Sequence, residues 1–227
     1  MKLCEVTALI LEETFLSSYQ PRIPVRYCLT APDDLKEGET LPLILFLHGA
    51  GERGTDLHLL YNTGLSKLFL ENQTYGGNRC FVLMPQCPDG MVWNSQVYAL
   101  KDLIDSIVSR FPIDSERIAV TGLSMGGFGT WEMAITFPGF FSCAAPCCGG
   151  GMSWRCDLLR NTPIRAFHSR GDGSVPLFCS VDMVNVTNAC GGHAELTIYE
   201  SNDHNCWDRA YTTTDLIPWM LSQKAAK

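Results

Sequence analysis

Three side chains far apart in the sequence have the types needed for acyl transfer. Ser124 lies in Gly122-Leu123-Ser124-Met125-Gly126, Asp172 lies between two glycines, and His204 follows both. A serine hydroxyl becomes a nucleophile when a histidine accepts its proton, and a carboxylate holds that histidine in the correct tautomer. A serine on a sharp strand-to-helix turn requires its acid and its histidine to follow it in this order. We therefore predict Ser124 as nucleophile, His204 as general base and Asp172 as orienting acid.

The surroundings of Ser124 support this interpretation of a short motif. Gly122 and Gly126 stand two residues from the serine, where a sharp strand-to-helix turn leaves no space for a side chain. The strand-like run Arg117 to Thr121 precedes the motif, and a helical run that ends near Phe137-Pro138 follows it. The alternative is a glycine-rich packing turn without chemistry, and the strand and helix around the motif favour the nucleophile.

Position in the sequence selects the acid and the base. Asp172 directly follows the strand-like run Ile164 to His168. The competing acids fail on position. Asp102 and Asp105 precede the serine, and Asp157 precedes that strand. Asp182 lies in the next helical run, and Asp203 adjoins the histidine. Of the two histidines after Asp172, His193 comes before the last strand-like run and His204 comes after it. A lone histidine is usually structural or solvated, but this order favours His204 as the base.

Two backbone N–H groups are predicted to form the oxyanion hole. The N–H of Met125 opens the helix after the serine and has no partner within that helix. The second donor is expected in the small-residue loop His48 to Gly54, where we nominate Ala50, with Gly51 as the reserve donor and a substrate contact. Trp93 is a further candidate for lining the substrate cleft, and a core aromatic is an equal alternative.

The elements that must position these residues alternate between strands and helices. The runs Glu5 to Leu11 and Ile23 to Thr30 resemble an antiparallel pair, and the continuous apolar run Leu43 to Leu47 is typical of a strand buried on both faces. Later runs alternate between strand-like and helical patterns and indicate βαβ units. The strand-like runs are Cys80 to Met84, Arg117 to Thr121, Cys143 to Cys147, Ile164 to His168 and Glu195 to Tyr199. The helical runs are Tyr98 to Phe111 and Trp207 to Leu221. This pattern predicts a single α/β-hydrolase domain over residues 1–227. Its mostly parallel sheet has about eight strands, helices on both faces and minimal or no lid.

Composition excludes several other classes of protein. A net charge of −7 without a basic cluster disfavours nucleic acid as a partner, and no apolar run is long enough to span a membrane. The residues after Met1 lack the apolar core of a secretory signal, so we expect a cytoplasmic protein. Eleven cysteines cannot all pair within one chain. A metal site at Cys143, Cys147, Cys148 and Cys156 is the alternative to buried structural thiols, which we favour because no C-x-x-C pair is present.

Together these motifs resemble a group of small α/β-hydrolases described as predicted peptidases or phospholipase/carboxylesterase-like enzymes, related to feruloyl and polyhydroxybutyrate depolymerase-type esterases. The resemblance is carried by Leu47 to Gly54, by Met84 to Pro88 with Trp93, by the serine turn, by Asp172 with Val175-Pro176, and by His204 with Trp207. It implies a triad of Ser124, Asp172 and His204 and an esterase that needs no metal or cofactor. One departure is His168-Ser169, where members of the group often have His-Gly.

Three functions remain open at this level. The first is a carboxylic ester hydrolase acting on short-acyl, aryl or acylated-carbohydrate esters, because a cleft without a lid admits bulky alcohols. The second is a peptidase, which uses the same triad, and the third is a binding module that has lost catalysis. Three intact triad positions disfavour the third. The acyl and alcohol groups of the substrate and the oligomeric state cannot be derived from the sequence.

Overall fold

A computed structural model describes residues 9–72 and 75–226 of the chain. Its centre is an eight-stranded sheet in the order β1-β2-β4-β3-β5-β6-β7-β8. The strands are β1 (Leu9–Phe15), β2 (Val25–Ala31), β3 (Leu41–Leu47), β4 (Phe81–Gln86), β5 (Ile113–Leu123), β6 (Cys143–Cys147), β7 (Ile164–Ser169) and β8 (Ala194–Tyr199). The α-helices are α1 (Gly64–Glu71), α2 (Val97–Arg110), α3 (Met125–Thr136), α4 (Phe178–Ala189), α5 (Trp207–Thr213) and α6 (Leu216–Ser222).

Strand β3 is the clearest case of a sequence pattern that dictates its place. Every residue of β3 is buried, because alternate side chains point to opposite faces and both faces are covered. Leu43 and Leu45 enter the core beneath helices α2, α3 and α4, whereas Ile44 and Phe46 enter the core beneath α1, α5 and α6. The prediction of helices on both faces of a mostly parallel sheet is therefore confirmed.

The first two strands form the predicted antiparallel pair. β1 pairs with β2, and β2 pairs in turn with β4, both antiparallel, whereas all later neighbours are parallel. The predicted first strand begins at Glu5, but residues 5–8 lie outside the described residues, and β1 continues to Phe15. The pair places a two-strand antiparallel edge on the side of the sheet away from β8.

The largest differences from the expected element boundaries lie at β5 and at the C-terminal helix. β5 begins at Ile113, four residues before the predicted run, because Leu41 pairs with Ile113 before a register shift brings Leu43 opposite Ile118. The predicted C-terminal helix is divided into α5 and α6 at Thr214 and Asp215. Pro218 lies in the first turn of α6, where its missing N–H would have no intrahelical partner anyway.

All parallel strands end at the same edge of the sheet, and the loops after them carry the predicted chemistry. Between β6 and β7, residues 148–163 contain a 3₁₀ helix (Ser153–Leu159), which packs against α4. Among the described residues, none of the helices combines the length and apolar character needed to cross a lipid bilayer.

Candidate active site

The turn between β5 and α3 holds Ser124 in a strained backbone conformation. Its φ of 54° and ψ of −118° lie outside the regions that L-residues favour. A Cβ on Gly122 would lie 2.5 Å from the Leu47 carbonyl oxygen, and one on Gly126 would lie 1.8 Å from the same atom. Both positions therefore require glycine, as the sequence motif predicts. The backbone of the turn packs directly against the end of β3.

The three predicted residues form one chain of hydrogen bonds. His204 Nε2 lies 2.9 Å from Ser124 Oγ, and His204 Nδ1 lies 2.6 Å from Asp172 Oδ2. With the proton on Nδ1 donated to the carboxylate, Nε2 is free to accept the serine proton. Ser124 follows β5, Asp172 follows β7 and His204 follows β8, so three separate crossovers bring the side chains together.

Asp172 is held as a carboxylate by the tight loop around it. Its Oδ1 accepts hydrogen bonds from the N–H groups of Ser174 at 2.8 Å and Val175 at 2.9 Å. Burial raises the pKa of Asp172, but the hydrogen bonds from Val175, His204 and Ser174 outweigh it and leave the pKa below its usual value. The side chain is thus a fixed anion that faces the imidazole.

A polar network fixes the loop that carries His204. Arg209, in α5, donates to Ser201 Oγ at 2.6 Å and to the Asp203 carboxylate at 3.1 Å. Ser169 donates to the same carboxylate at 3.2 Å. Ser169 is the residue that departs from the pattern of the resembled group, and its hydroxyl ties the end of β7 to the histidine loop. Sequence reasoning missed Arg209 and Ser169 as supports, because no spacing in the sequence shows that their side chains meet at Asp203.

Of the two predicted oxyanion donors, Met125 directly follows Ser124, and Ala50 lines the same cleft as Ser124. Ala50 begins a 3₁₀ helix (Ala50–Glu52), and Met125 begins α3, so neither N–H has an intrahelical acceptor. Gly51, the reserve donor, is exposed beside Ala50. Ser124 opens into a cleft of about 320 Å³ lined by Gly49, Ala50, Gly51, Glu52, Thr63, Leu123, Ser124, Ser174, His204 and Trp207.

Trp93 supports this loop from below and does not line the cleft. Its side chain is fully buried, and its Nε1–H donates to the His48 carbonyl at 2.9 Å. The ring also packs edge-on against the His48 imidazole, with centroids 4.9 Å apart. The predicted substrate contact is thus corrected to the alternative, a core aromatic, since the short connection from β4 places Trp93 under the loop.

His48 and the segment after β4 complete the support. His48 Nδ1–H donates to the Gly49 carbonyl at 2.6 Å, and His48 Nε2 accepts from the Cys87 N–H at 2.9 Å. Burial lowers the pKa of His48 to about 4, so its ring stays neutral and can accept as well as donate. Gln86 donates to the Glu52 carbonyl at 2.9 Å. These contacts give a physical role to the motif Met84 to Pro88.

Two charged residues of the loop, Glu52 and Arg53, differ in their contacts. Arg53 donates from Nε to the Ala50 carbonyl at 3.0 Å and from a terminal nitrogen to the Met91 carbonyl at 3.3 Å. The Glu52 carboxylate lies 3.8 Å from His48 Nδ1, and burial raises its pKa. Arg53 therefore fixes the loop through its hydrogen bonds to two backbone carbonyls.

A second cavity adjoins the cleft. It has a volume of about 330 Å³ and shares Thr63 and Trp207 with the cleft of Ser124. The Trp207 ring meets the His204 ring edge-on, with centroids 5.3 Å apart. The rest of its lining combines polar and apolar groups: Asn62, Gly64, Lys67, Leu68, Asn205, Asp208, Tyr211 and Thr212. The two cavities together give the site one compartment beside the serine and one beyond the histidine.

Comparison with known proteins identifies the family. The family model described as Phospholipase/Carboxylesterase matches residues 91–214, more than half of the chain. The chain belongs to the phospholipase/carboxylesterase family. The matched segment contains all three residues of the serine, histidine and aspartate chain, whereas the loop with Ala50 lies outside it.

Relatives of this phospholipase/carboxylesterase chain include a curated protein and several solved structures. Poly(3-hydroxyalkanoate) depolymerase C of Paucimonas lemoignei is 33% identical over 116 residues, which are 48% of this chain and 28% of the depolymerase. A thermostable esterase is 32% identical with a TM-score of 0.87, and the match covers 95% of this chain and 63% of that one. The chain thus spans less than two thirds of both relatives. The feruloyl esterase module from Clostridium thermocellum has the same fold, with 12% identity, a TM-score of 0.76 and coverage of 100% and 92%.

Proposed function

We propose that the protein is a serine carboxylic ester hydrolase that works through an acyl-enzyme. The observation that carries the proposal is the continuous hydrogen-bonded chain from Ser124 through His204 to Asp172 at the floor of an open cleft. Membership of the phospholipase/carboxylesterase family and the likeness to a thermostable esterase support ester bonds as the target.

In the first half of the proposed reaction, Ser124 Oγ attacks the ester carbonyl carbon while His204 Nε2 takes the hydroxyl proton. The carbonyl oxygen becomes an oxyanion, which the N–H groups of Ala50 and Met125 stabilise, with Gly51 as the alternative donor. The imidazolium then gives its proton to the departing alcohol, and the acyl group remains on the serine. Asp172 stabilises the imidazolium and stays deprotonated throughout the reaction.

In the second half, water attacks the acyl-enzyme and His204 again acts as base, which returns the carboxylic acid and the free serine. The groups in this scheme are all side chains and backbone amides of the chain itself. The two cavities meet at Trp207, which suits an ester with a group on each side of the bond. The mixed polar and apolar lining of the second cavity fits a hydroxylated or aryl alcohol. The acyl part would then lie beside Ala50 and Ser174.

A panel of esters and peptides tests the proposal. We expect hydrolysis of short-acyl p-nitrophenyl esters by wild type, and a fall in kcat of at least about ten thousandfold in Ser124→Ala, because the nucleophile is removed. The panel includes a feruloyl ester, an acetylated sugar, a 3-hydroxybutyrate oligomer and a p-nitroanilide peptide.

Each outcome separates the three functions. Hydrolysis of peptides without hydrolysis of any ester would replace the proposal with a peptidase. Absence of turnover on the whole panel by a folded wild-type protein would leave the binding module. Ester turnover that survives unchanged in Ser124→Ala would refute the role of the serine.

A further inference from the structure

Cys148 has a strained backbone immediately beside the triad. It follows β6, and its φ is +40°. Within the described parts of the chain, Ser124 is the one other residue besides glycine with a positive φ. The Cys148 N–H donates to the Phe167 carbonyl at 2.8 Å, and its side chain is fully buried. Strain of this kind is retained where the surroundings demand one side-chain placement.

That placement brings the thiol to the acid and the base of the triad. One ligand atom each from Cys148, Asp172 and His204 lies within 4.8 Å of the other two. Asp172 uses Oδ1 for two backbone N–H groups and directs Oδ2 toward His204. A thiolate, an imidazole nitrogen and a carboxylate oxygen are the three ligand types that Zn²⁺ takes in proteins.

Further sulfur lies around this position. The Cys206 side chain interacts with those of both Cys147 and Cys148, and its thiol lies 3.5 Å from the Phe167 carbonyl oxygen. Soft sulfur ligands favour Zn²⁺, Cd²⁺ and Cu⁺ over Mg²⁺ and Ca²⁺. The surroundings therefore select a thiophilic cation.

We propose that Cys148, Asp172 and His204 form an inhibitory binding site for a thiophilic divalent cation such as Zn²⁺. Coordination replaces the thiol proton, which passes to solvent. A metal on Nδ1 of His204 forces the remaining ring proton onto Nε2, and a metal on Nε2 occupies the lone pair directly. In either geometry the imidazole can no longer accept the proton of Ser124. The inhibitory effect rests on the proposed esterase function, whereas the binding does not.

Zinc titration of ester hydrolysis tests the effect on activity. Wild type should lose activity as free Zn²⁺ rises and recover it when a chelator is added. In Cys148→Ser and Cys148→Gly, the Zn²⁺ concentration for half-inhibition, measured against each variant's own metal-free rate, should rise at least about tenfold, because a ligand is lost. Of the two variants, Cys148→Gly should preserve the fold better, because glycine adopts a positive φ without steric strain.

The matched control is Cys190→Ser. Cys190 lies between the end of α4 and the start of β8 and is not part of the Cys148, Asp172 and His204 cluster, so this variant should show the half-inhibition of wild type. Half-inhibition that is equal in wild type, Cys148→Ser and Cys148→Gly would overturn the proposed site.

A binding measurement separates this site from the proposed function. Cd²⁺ bound to a thiolate gives an ultraviolet charge-transfer absorbance, which wild type should develop at one equivalent and Cys148→Gly should not. If the absorbance depends on Cys148 while wild type hydrolyses no ester, the metal site stands and the esterase proposal fails. An absorbance of equal intensity in wild type and Cys148→Gly would refute coordination by Cys148.

Discussion

At the scale of single residues, the loop His48 to Gly54, which carries the proposed oxyanion donor Ala50, depends on a small number of buried polar contacts. Trp93 gives one N–H to the His48 carbonyl, and His48 in turn fixes Gly49 and Cys87. None of these side chains touches the cleft, yet they determine where the Ala50 N–H stands. They act as positioning residues for the proposed reaction.

We expect Trp93→Phe to lower kcat between about tenfold and a hundredfold with little change in KM, because a misplaced oxyanion donor acts mainly in the transition state. Steady-state kinetics on a p-nitrophenyl ester measures kcat and KM separately. Trp131→Phe is the matched control, since Trp131 is equally buried and its Nε1 has no hydrogen-bond partner within the described chain. Equal loss of kcat in both variants would show that Trp93 acts only through packing.

The sequence was informative for residues with an ordered pattern and silent for those that support them. Serine, acid and histidine could be selected because their order and their strand ends are constrained. The Arg209 network depends on side chains that approach across the end of the sheet, and no spacing in the sequence encodes that approach. Trp93 left two interpretations, because a conspicuous aromatic side chain suits a cleft and a core equally well.

At the scale of elements, the approach of α3 to β3 is the closest contact of the site. Gly126 in the first turn of α3 lies against the Leu47 carbonyl, and the Cβ of Gly129 would lie 2.6 Å from the Trp93 Cβ. The helix can therefore approach the strand only through glycine. The same contact aligns the start of the helix with the loop that begins at His48.

Gly126→Ala should lower the free energy of unfolding by about 3 kcal/mol or more, because backbone rather than a flexible side chain fills the space. Urea unfolding followed by circular dichroism measures this change. Gly173→Ala is the control, since a Cβ there meets nothing within 4 Å, and it should change stability by less than about 0.5 kcal/mol. Similar stabilities for the two variants would contradict the close approach.

The order of strands and helices followed from pattern, whereas their ends did not. The buried runs of β3 and β6 were visible as continuous apolar or small residues. The extension of β5 to Ile113 results from pairing with Leu41 across a register shift, which depends on a partner strand. The break between α5 and α6 lies at Thr214, whose hydroxyl accepts from the Leu216 N–H, a local bond that competes with a continuous helix.

At the scale of the whole molecule, one buried neutral histidine links stability to pH. Burial lowers the pKa of His48 from 6.5 to about 4. Between these two pH values the histidine is protonated in the unfolded chain and neutral in the folded chain. Stability is therefore lost as the pH falls from 6.5 toward 4.

The contribution of His48 should reduce the free energy of unfolding by about 2 kcal/mol between pH 7 and pH 5. In His48→Gln, the difference between the two pH values should be smaller by that amount, as measured by urea unfolding at each pH. His193→Gln, in which an exposed histidine is replaced, should keep the wild-type difference. Identical pH dependence in wild type and His48→Gln would rule out this contribution.

Other whole-molecule expectations remain predictions. The single domain over residues 1–227 and a cytoplasmic location are supported by pattern and composition alone. The ten cysteines of the described residues are free thiols, and the four proposed as a metal alternative are all buried: Cys143, Cys147, Cys148 and Cys156. The chain's first cysteine, Cys4, lies outside the described residues.

The strand order has a consequence for the biogenesis of the protein. Ser124 and His204 are 80 positions apart, and the histidine follows the strand that joins the sheet at its outer edge. A nascent chain still missing β8 would carry the serine turn without the imidazole that activates it. A fluorophosphonate that reacts only with activated serines would therefore label finished molecules and leave ribosome-bound precursors unmarked.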